Sequence, residues 1–315
     1  MTYTNLSALR VLICDQVDSL LIDGLERKGF TTIYEPEISH VELEHRVKDI
    51  GILVVRSRTK ITEDILRAGK NLKIIARAGI GTDNIDMAFA KKAGVPVITA
   101  AGSSTASVAE LNVALAIDLS RRIPLMDRNA KALMWKKQNG IELNGKVAGI
   151  FGFGRIGQAT AKILRALGMS ILAYDIYHDA HSIEEVNGKY VEIPQLMAES
   201  DYIFILATLT DGSVNFIDEH LLSMCKKGCF IINTSRAEII DGEAMVMSMD
   251  SGRIAGYGMD VMWNDPPKEL WEIELIKRDN VIVTPHIGAQ TIEAQKRVAE
   301  FTLANLMKKI EEIKL

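Results

Sequence analysis

Short apolar runs alternate with longer amphipathic stretches along almost the whole chain. Strands are expected at Val11–Cys14, Ile52–Arg56, Leu72–Ala76 and Val95–Thr99, with helical spacing of apolar residues near 39–49, 62–70 and 83–93. Strand-sized apolar runs separated by helices predict parallel strands covered on both faces. This first α/β series ends near Ala100. A second opens after Asn144-Gly145, with strands expected at Val147–Phe151, Ser170–Tyr174, Tyr202–Leu206, Cys229–Asn233, Gly256–Asp260 and Val281–Thr284. Six strands is the count of a doubly wound nucleotide-binding sheet.

Two helical segments stand apart. From Ser104 to about Arg121, Val108, Leu111, Leu115 and Leu119 form a stripe, and Val113, Ala114, Ala116 and Ile117 make most of the remaining circumference apolar. A helix apolar on most sides is buried on most sides. A place inside one protomer and a place at a subunit interface fit that pattern equally. The tail from Thr291 to Leu315 is expected to be helical, with Leu303, Leu306, Met307 and Ile310 on one face, and no third domain is expected.

Composition narrows the class. At roughly 150 residues per domain, 315 residues suggest two domains. With 37 Lys+Arg against 41 Asp+Glu the net charge is −4, which argues against nucleic acid or an anionic membrane held by bulk charge. An anionic ligand would need positive charge gathered locally. No apolar run approaches the ~20 residues of a membrane helix, and the N-terminus has no secretory pattern. Three cysteines (Cys14, Cys225, Cys229) are too few for a disulfide framework, so a cytoplasmic location is expected. His178 and His181 form an HxxH without clustered partners, so no metal is expected.

The sharpest motif is Gly152-Phe153-Gly154-Arg155-Ile156-Gly157, placed between the strand Val147–Phe151 and a helical pattern. The first glycine allows a tight turn, the second lets backbone approach a diphosphate, and the third allows close helix–strand packing. Amides at the helix start, Arg155 and Ile156 among them, are free to bind phosphate charge. Eighteen positions beyond Gly157, Asp175 ends the next strand, and Ile176 rather than a cation follows it. A carboxylate there accepts from ribose hydroxyls and repels a 2′-phosphate, which favours NAD over NADP.

Three further strand ends carry chemistry: Asn233-Thr234-Ser235-Arg236, Gly258-Met259-Asp260 and Thr284-Pro285-His286-Ile287-Gly288. In open α/β sheets ligands bind beyond the carboxyl ends of strands, so an Arg, an acid and a His are expected to converge beside the nicotinamide. Together with VVRSRTKIT (54–62), IIARAGIGTDNID (74–86), SVAEL (107–111), GIFGFGRIGQ (149–158), INTSRAEIID (232–241), GMDVMWNDPP (258–267) and TPHIGAQT (284–291), these segments resemble the D-2-hydroxyacid dehydrogenase family, and within it most closely the phosphoglycerate dehydrogenases.

The resemblance implies an α/β fold of two Rossmann-like domains, a doubly wound NAD-binding domain (102–287) inserted in a flavodoxin-like substrate domain (1–101 and 288–315). It implies Arg236 as the ligand of the substrate carboxylate and carbonyl, His286 as general acid/base, and Asp260 at the nicotinamide side. Thr208, Thr234, Ser235 and Gly288 join the cofactor set by the same resemblance. Arg56, Ser57, Gly79, Ile80 and Ser104 are implied on the substrate side. One of Arg56 and Arg58 is expected to serve the substrate, and the resemblance selects Arg56. Arg77 and Lys60 are read as structural or solvated.

Three departures from the family pattern bear on activity. Asp265 stands where relatives carry a catalytic Glu, Ser104 where they often carry Asn, and Leu206 where they commonly carry His. Asp265 is expected to work with His286, raising the imidazole pKa and fixing its orientation. The implied reaction is NAD-dependent oxidation of 3-phospho-D-glycerate to 3-phosphooxypyruvate in L-serine biosynthesis. Alternatives are a glyoxylate or hydroxypyruvate reductase, a D-lactate dehydrogenase, or an NAD-sensing corepressor-like binding protein. A small anionic substrate, a homodimer and a short form without a serine-binding regulatory domain complete the expectation.

Overall fold

A computed structural model describes residues 9–314. The chain divides into two compact units, one running to Ser104 and resuming at Gln290, the other comprising Thr105–Ala289.

The first unit alternates strand and helix: β1 (Arg10–Ile13), α1 (Ser19–Arg27), β2 (Thr31–Tyr34), α2 (His40–Arg46), β3 (Ile52–Val55), α3 (Glu63–Ala68), β4 (Ile74–Arg77), α4 (Met87–Lys92) and β5 (Val97–Thr99). All pairs are parallel, in the order β2-β1-β3-β4-β5, the flavodoxin-like order whose switch point lies between β1 and β3. Side-chain alternation builds both faces. Val11, Ile13, Ile52 and Val54 pack with α1 and the C-terminal helix Ile292–Glu312. Leu12, Leu53 and Val55 pack with residues of α2 and α3 such as Leu43 and Ile65. Ser39 and Glu42 close a reciprocal capping box at α2, while Asp18 and Asp86 cap α1 and α4.

The second unit begins with α5 (Thr105–Arg121) and α6 (Ile123–Lys131). There follow β6 (Val147–Phe151), α7 (Arg155–Ala166), β7 (Ser170–Tyr174), α8 (Ala180–Glu185), β8 (Lys189–Tyr190), α9 (Ile193–Glu199) and β9 (Tyr202–Ile205). The unit ends with α10 (Glu219–Met224), β10 (Cys229–Asn233), α11 (Gly242–Asp250), β11 (Ile254–Met259), α12 (Leu270–Ile276) and β12 (Val281–Val283). The sheet order is β12-β11-β10-β9-β6-β7-β8, again fully parallel. It contains the doubly wound nucleotide-binding order and puts the switch point between β6 and β9.

This sheet has seven strands rather than six, because β8 is a two-residue edge strand beside Leu172 and Ala173, too short to leave a pattern. The apolar helix α5 is buried within its own unit, with Val108, Val113, Leu115, Ala116 and Leu119 against α7, β10 and β11. Much of its apolar circumference is thereby used within its own unit. Among the described residues no helix is long and apolar enough to cross a membrane.

Candidate active site

The loop between β6 and α7 is shaped by what its glycines exclude. Gly152 has φ +100, and a Cβ there would lie 2.4 Å from the Ala207 amide nitrogen. A Cβ on Gly157 would lie 2.4 Å from the Gly152 carbonyl oxygen. Gly154, which precedes the first turn of α7, has nothing within 4 Å of its missing Cβ. Two glycines are therefore demanded by packing, and the third leaves open space where the first-turn amides of Arg155 and Ile156 have no intrahelical acceptor. This is the form a diphosphate requires. Asp175 accepts from Phe153 N–H at 2.7 Å and from Tyr177 N–H at 3.0 Å, so the acid that follows β7 also fixes the glycine turn. Thr208 follows β9 on the other side of the switch point and is exposed.

The next three strand ends are tied together by hydrogen bonds. Asn233, fully buried, accepts from Ser235 N–H and Oγ–H and donates Nδ2–H to the Arg236 carbonyl, each at 3.0 Å. That side-chain-closed turn presents Arg236, whose Nη1 donates to the Ser235 carbonyl at 2.6 Å. Asp260 N–H donates to the Asn233 carbonyl, and Thr284 N–H to that of Met259. The ends of β10 and β12 are thus two strand spacings apart, ~10 Å.

Asp260 is only 1% exposed, and its carboxylate accepts from Thr284 Oγ1–H at 2.6 Å, Ile287 N–H at 2.7 Å and Gly288 N–H at 2.7 Å. The acid expected at the nicotinamide side accepts three hydrogen bonds from the loop that carries His286. That loop needs the support. His286 has φ +53, the left-handed region, which costs a non-glycine residue about 1–3 kcal/mol and persists only where its surroundings over-determine it. Its ring is exposed at the end of β12, while Gly288 is buried and its carbonyl accepts from Ser107 Oγ at 2.5 Å.

Asp265 lies on the exposed part of the loop between β11 and α12. Among the described residues no hydrogen bond or ion pair joins Asp265 to His286, so the structure does not bring this expected pair into direct contact. The group that organises the loop is Glu272, which the sequence reading did not single out. Fully buried, it accepts from Asn264 N–H and Nδ2–H and from the N–H groups of Lys268 and Glu269 at 2.8–3.0 Å. Burial alone would raise its carboxyl pKa, but these hydrogen bonds outweigh burial and hold it below the usual range.

In the first unit, Arg56 and Ser57 follow β3 at that sheet's own switch point. Buried Asp15 accepts from Arg56 N–H at 2.5 Å and from Thr59 Oγ1–H at 2.7 Å, and pairs with Arg58 Nε at 3.1 Å. Arg58 also donates to the carbonyls of Cys14, Pro36 and Ile38. Its guanidinium is consumed by the fold. Arg56 gives one side-chain donor to the Gln16 carbonyl at 3.0 Å and is partly desolvated, which lowers its pKa. Gly79 has φ +155 beneath the Arg77 guanidinium, Ile80 is exposed, and Ser104 is buried.

Residues 113–288 match the family described as D-isomer specific 2-hydroxyacid dehydrogenase, NAD binding domain. The chain is 39% identical to the hydroxypyruvate reductase of Thermotoga maritima over 303 residues, 96% of this chain and 98% of that one. It is 37% identical to the D-3-phosphoglycerate dehydrogenase of Archaeoglobus fulgidus over 292 residues, 92% of this chain but 55% of that relative. Among solved structures, a glyoxylate reductase from Paecilomyes thermophila superposes with a TM-score of 0.88 at 27% identity, covering 96% of each chain.

Proposed function

Because the chain belongs to the D-isomer specific 2-hydroxyacid dehydrogenases and its second unit carries that family's NAD-binding domain, we propose that it interconverts 3-phospho-D-glycerate and 3-phosphooxypyruvate. NAD, when bound, would supply the hydride acceptor for oxidation and, in its reduced form, the hydride donor for reduction. The Gly152–Gly157 loop, Asp175 and Thr208 hold the dinucleotide, with Thr234 and Ser235 on the nicotinamide side. Arg236 binds the planar carboxylate and carbonyl of the 2-oxo acid in a bidentate manner that suits a guanidinium. His286 takes the hydroxyl proton in oxidation and gives it to the carbonyl oxygen in reduction. Asp260 acts by holding the His286 loop, and Asp265 is assigned to work with His286 from the β11–α12 loop.

The observation that carries the phosphate-bearing substrate is the unequal fate of two neighbouring cations. Arg58 is spent on backbone carbonyls and Asp15, whereas Arg56 commits a single side-chain donor. Arg56 is the cation left for a phosphate, with Ser57 and the Gly79-Ile80 turn beside it in the assigned substrate set. A second reading, hydroxypyruvate reduction, is favoured by the full-length similarity to the Thermotoga protein. Steady-state rates with the phosphorylated and unphosphorylated 2-oxo acids separate the two. Arg56→Gln is expected to cost about tenfold or more in kcat/KM for 3-phosphooxypyruvate and under threefold for hydroxypyruvate, the loss of one charge-assisted hydrogen bond. Equal losses on both would assign the enzyme to the smaller substrate.

A homodimer belongs to the same reading. Helix α6 buries none of its side chains, and the adjoining segment exposes Leu133 at 86% and Trp135 at 80%, with Met134 and Ile141 also exposed. Large apolar side chains exposed close together in sequence suit a contact surface, and we assign them to a second copy of this chain. A cytoplasmic location is part of the same reading; the three cysteines are buried and form no disulfide.

A further inference from the structure

Helix α5 carries two buried polar side chains that no step above uses, each reaching one of the two loops that bear the reacting groups. Ser107 Oγ donates to the Gly288 carbonyl at 2.5 Å, two residues beyond His286. One and a half turns later Asn112, fully buried, accepts through Oδ1 from Thr234 Oγ1–H at 2.8 Å, two residues before Arg236. The Asn112 amide also donates to Thr160 Oγ1 at 3.1 Å, and Thr160 is itself fully buried on α7, the helix that follows the glycine loop. Helix interiors disfavour Asn and Ser, and their polar groups are costly to bury without partners. Here every one of these groups is matched to a strand-end loop or to the cofactor-side helix.

We propose that Ser107 and Asn112 are positioning residues, through which the single rigid helix α5 sets the His286 loop and the Arg236 turn in register with each other. The inference rests on the assignment of those two side chains to 2-oxo acid reduction. Its mechanical basis is that both loops are irregular backbone, and His286 in particular holds a left-handed conformation that only fixed neighbours maintain. Ser107 acts on the proton donor; Asn112, through Thr234, acts on the carboxylate ligand. Thr160 anchors the Asn112 amide so that its oxygen faces Thr234.

The two arms make different predictions. With Thr234→Val or Asn112→Leu, the affinity of the NADH complex for oxamate, a non-reducible 2-oxo acid analogue, should fall about tenfold, and KM for the 2-oxo acid should rise in parallel, the usual cost of orphaning a buried partner. Thr234→Ser, which keeps the hydroxyl, should restore both to within about twofold. Because they remove the same hydrogen bond, Asn112→Leu and Thr234→Val combined should cost no more than the larger single change. Ser107→Ala should lower kcat about tenfold and leave oxamate affinity unchanged. The dissociation constant of NADH, read by its fluorescence, should stay within about twofold in Asn112→Leu and Ser107→Ala.

Should Asn112→Leu fail to fold, Thr234→Val against Thr234→Ser carries the same test at a half-exposed site. Wild-type kcat and oxamate affinity in these variants would overturn the proposal, as would a uniform decline of NADH binding, oxamate binding and melting temperature. An inactive wild-type protein that still binds NADH would instead overturn the assigned reaction.

Discussion

Asp260 and Glu272 are both buried acids whose carboxylates are spent on holding loops, three donors to one and four to the other. Replacing Asp260 with Asn puts a donor where amides need an acceptor. kcat should fall on the order of tenfold or more while the fold survives, with stopped-flow reduction of a 2-oxo acid as the measurement. For Glu272 the folded carboxyl titrates below the unfolded value of about 4.3. Its stabilisation is therefore present above about pH 4.3 and lost as pH falls through the lower folded value. Glu272→Gln should cost about 1–3 kcal/mol in urea unfolding at pH 7, and the gap from wild type should shrink as acid is added. Asp260 was legible as a site acid because it ends a strand. Its donors lie 24–28 residues later, however, a distance over which no local pattern speaks. Arg56 and Arg58 show the same limit: positions two apart share a face in a strand, so strand alternation does not separate them, and only the carbonyls of Cys14, Pro36 and Ile38 reveal which is consumed.

At the scale of elements, the strands of the second unit were readable to within two residues because parallel strands buried on both faces are continuous apolar runs. Elements that bury little escaped notice. β2 is a partly exposed edge strand, β8 has two residues, and α6 buries no side chain at all. α5 was visible as a helix, but its place inside the unit was not, since an apolar surface does not name its partner. The glycine loop was the most legible of all, its spacing dictated by backbone approach. Gly152→Ala would force a methyl to 2.4 Å from the Ala207 amide at a φ that alanine avoids. Isothermal titration should show NADH affinity lowered at least tenfold, with a loss of melting temperature as well.

Two separate switch points organise the molecule, one between β1 and β3 and one between β6 and β9, and every assigned reactive side chain follows a strand at its carboxyl end. The exposed strip at 123–141 is the feature a lone chain leaves unexplained. Trp135→Lys should shift the protein from dimer to monomer in light scattering at micromolar concentration, because a charge in an apolar contact costs more than its burial gains. A monomeric wild type would remove that assignment and leave the chemistry standing. The central claim concerns the chemistry itself: an acid-reading guanidinium and a proton-carrying imidazole beside an NAD site. It is tested most directly by the rate of NADH oxidation, followed by its absorbance, with 3-phosphooxypyruvate, hydroxypyruvate, glyoxylate and pyruvate, each repeated with NADPH. Turnover with NADH is expected on at least one of these acids, fastest on the phosphorylated one, with a strong preference over NADPH imposed by Asp175. No turnover on any of them, or a preference for NADPH, would contradict it.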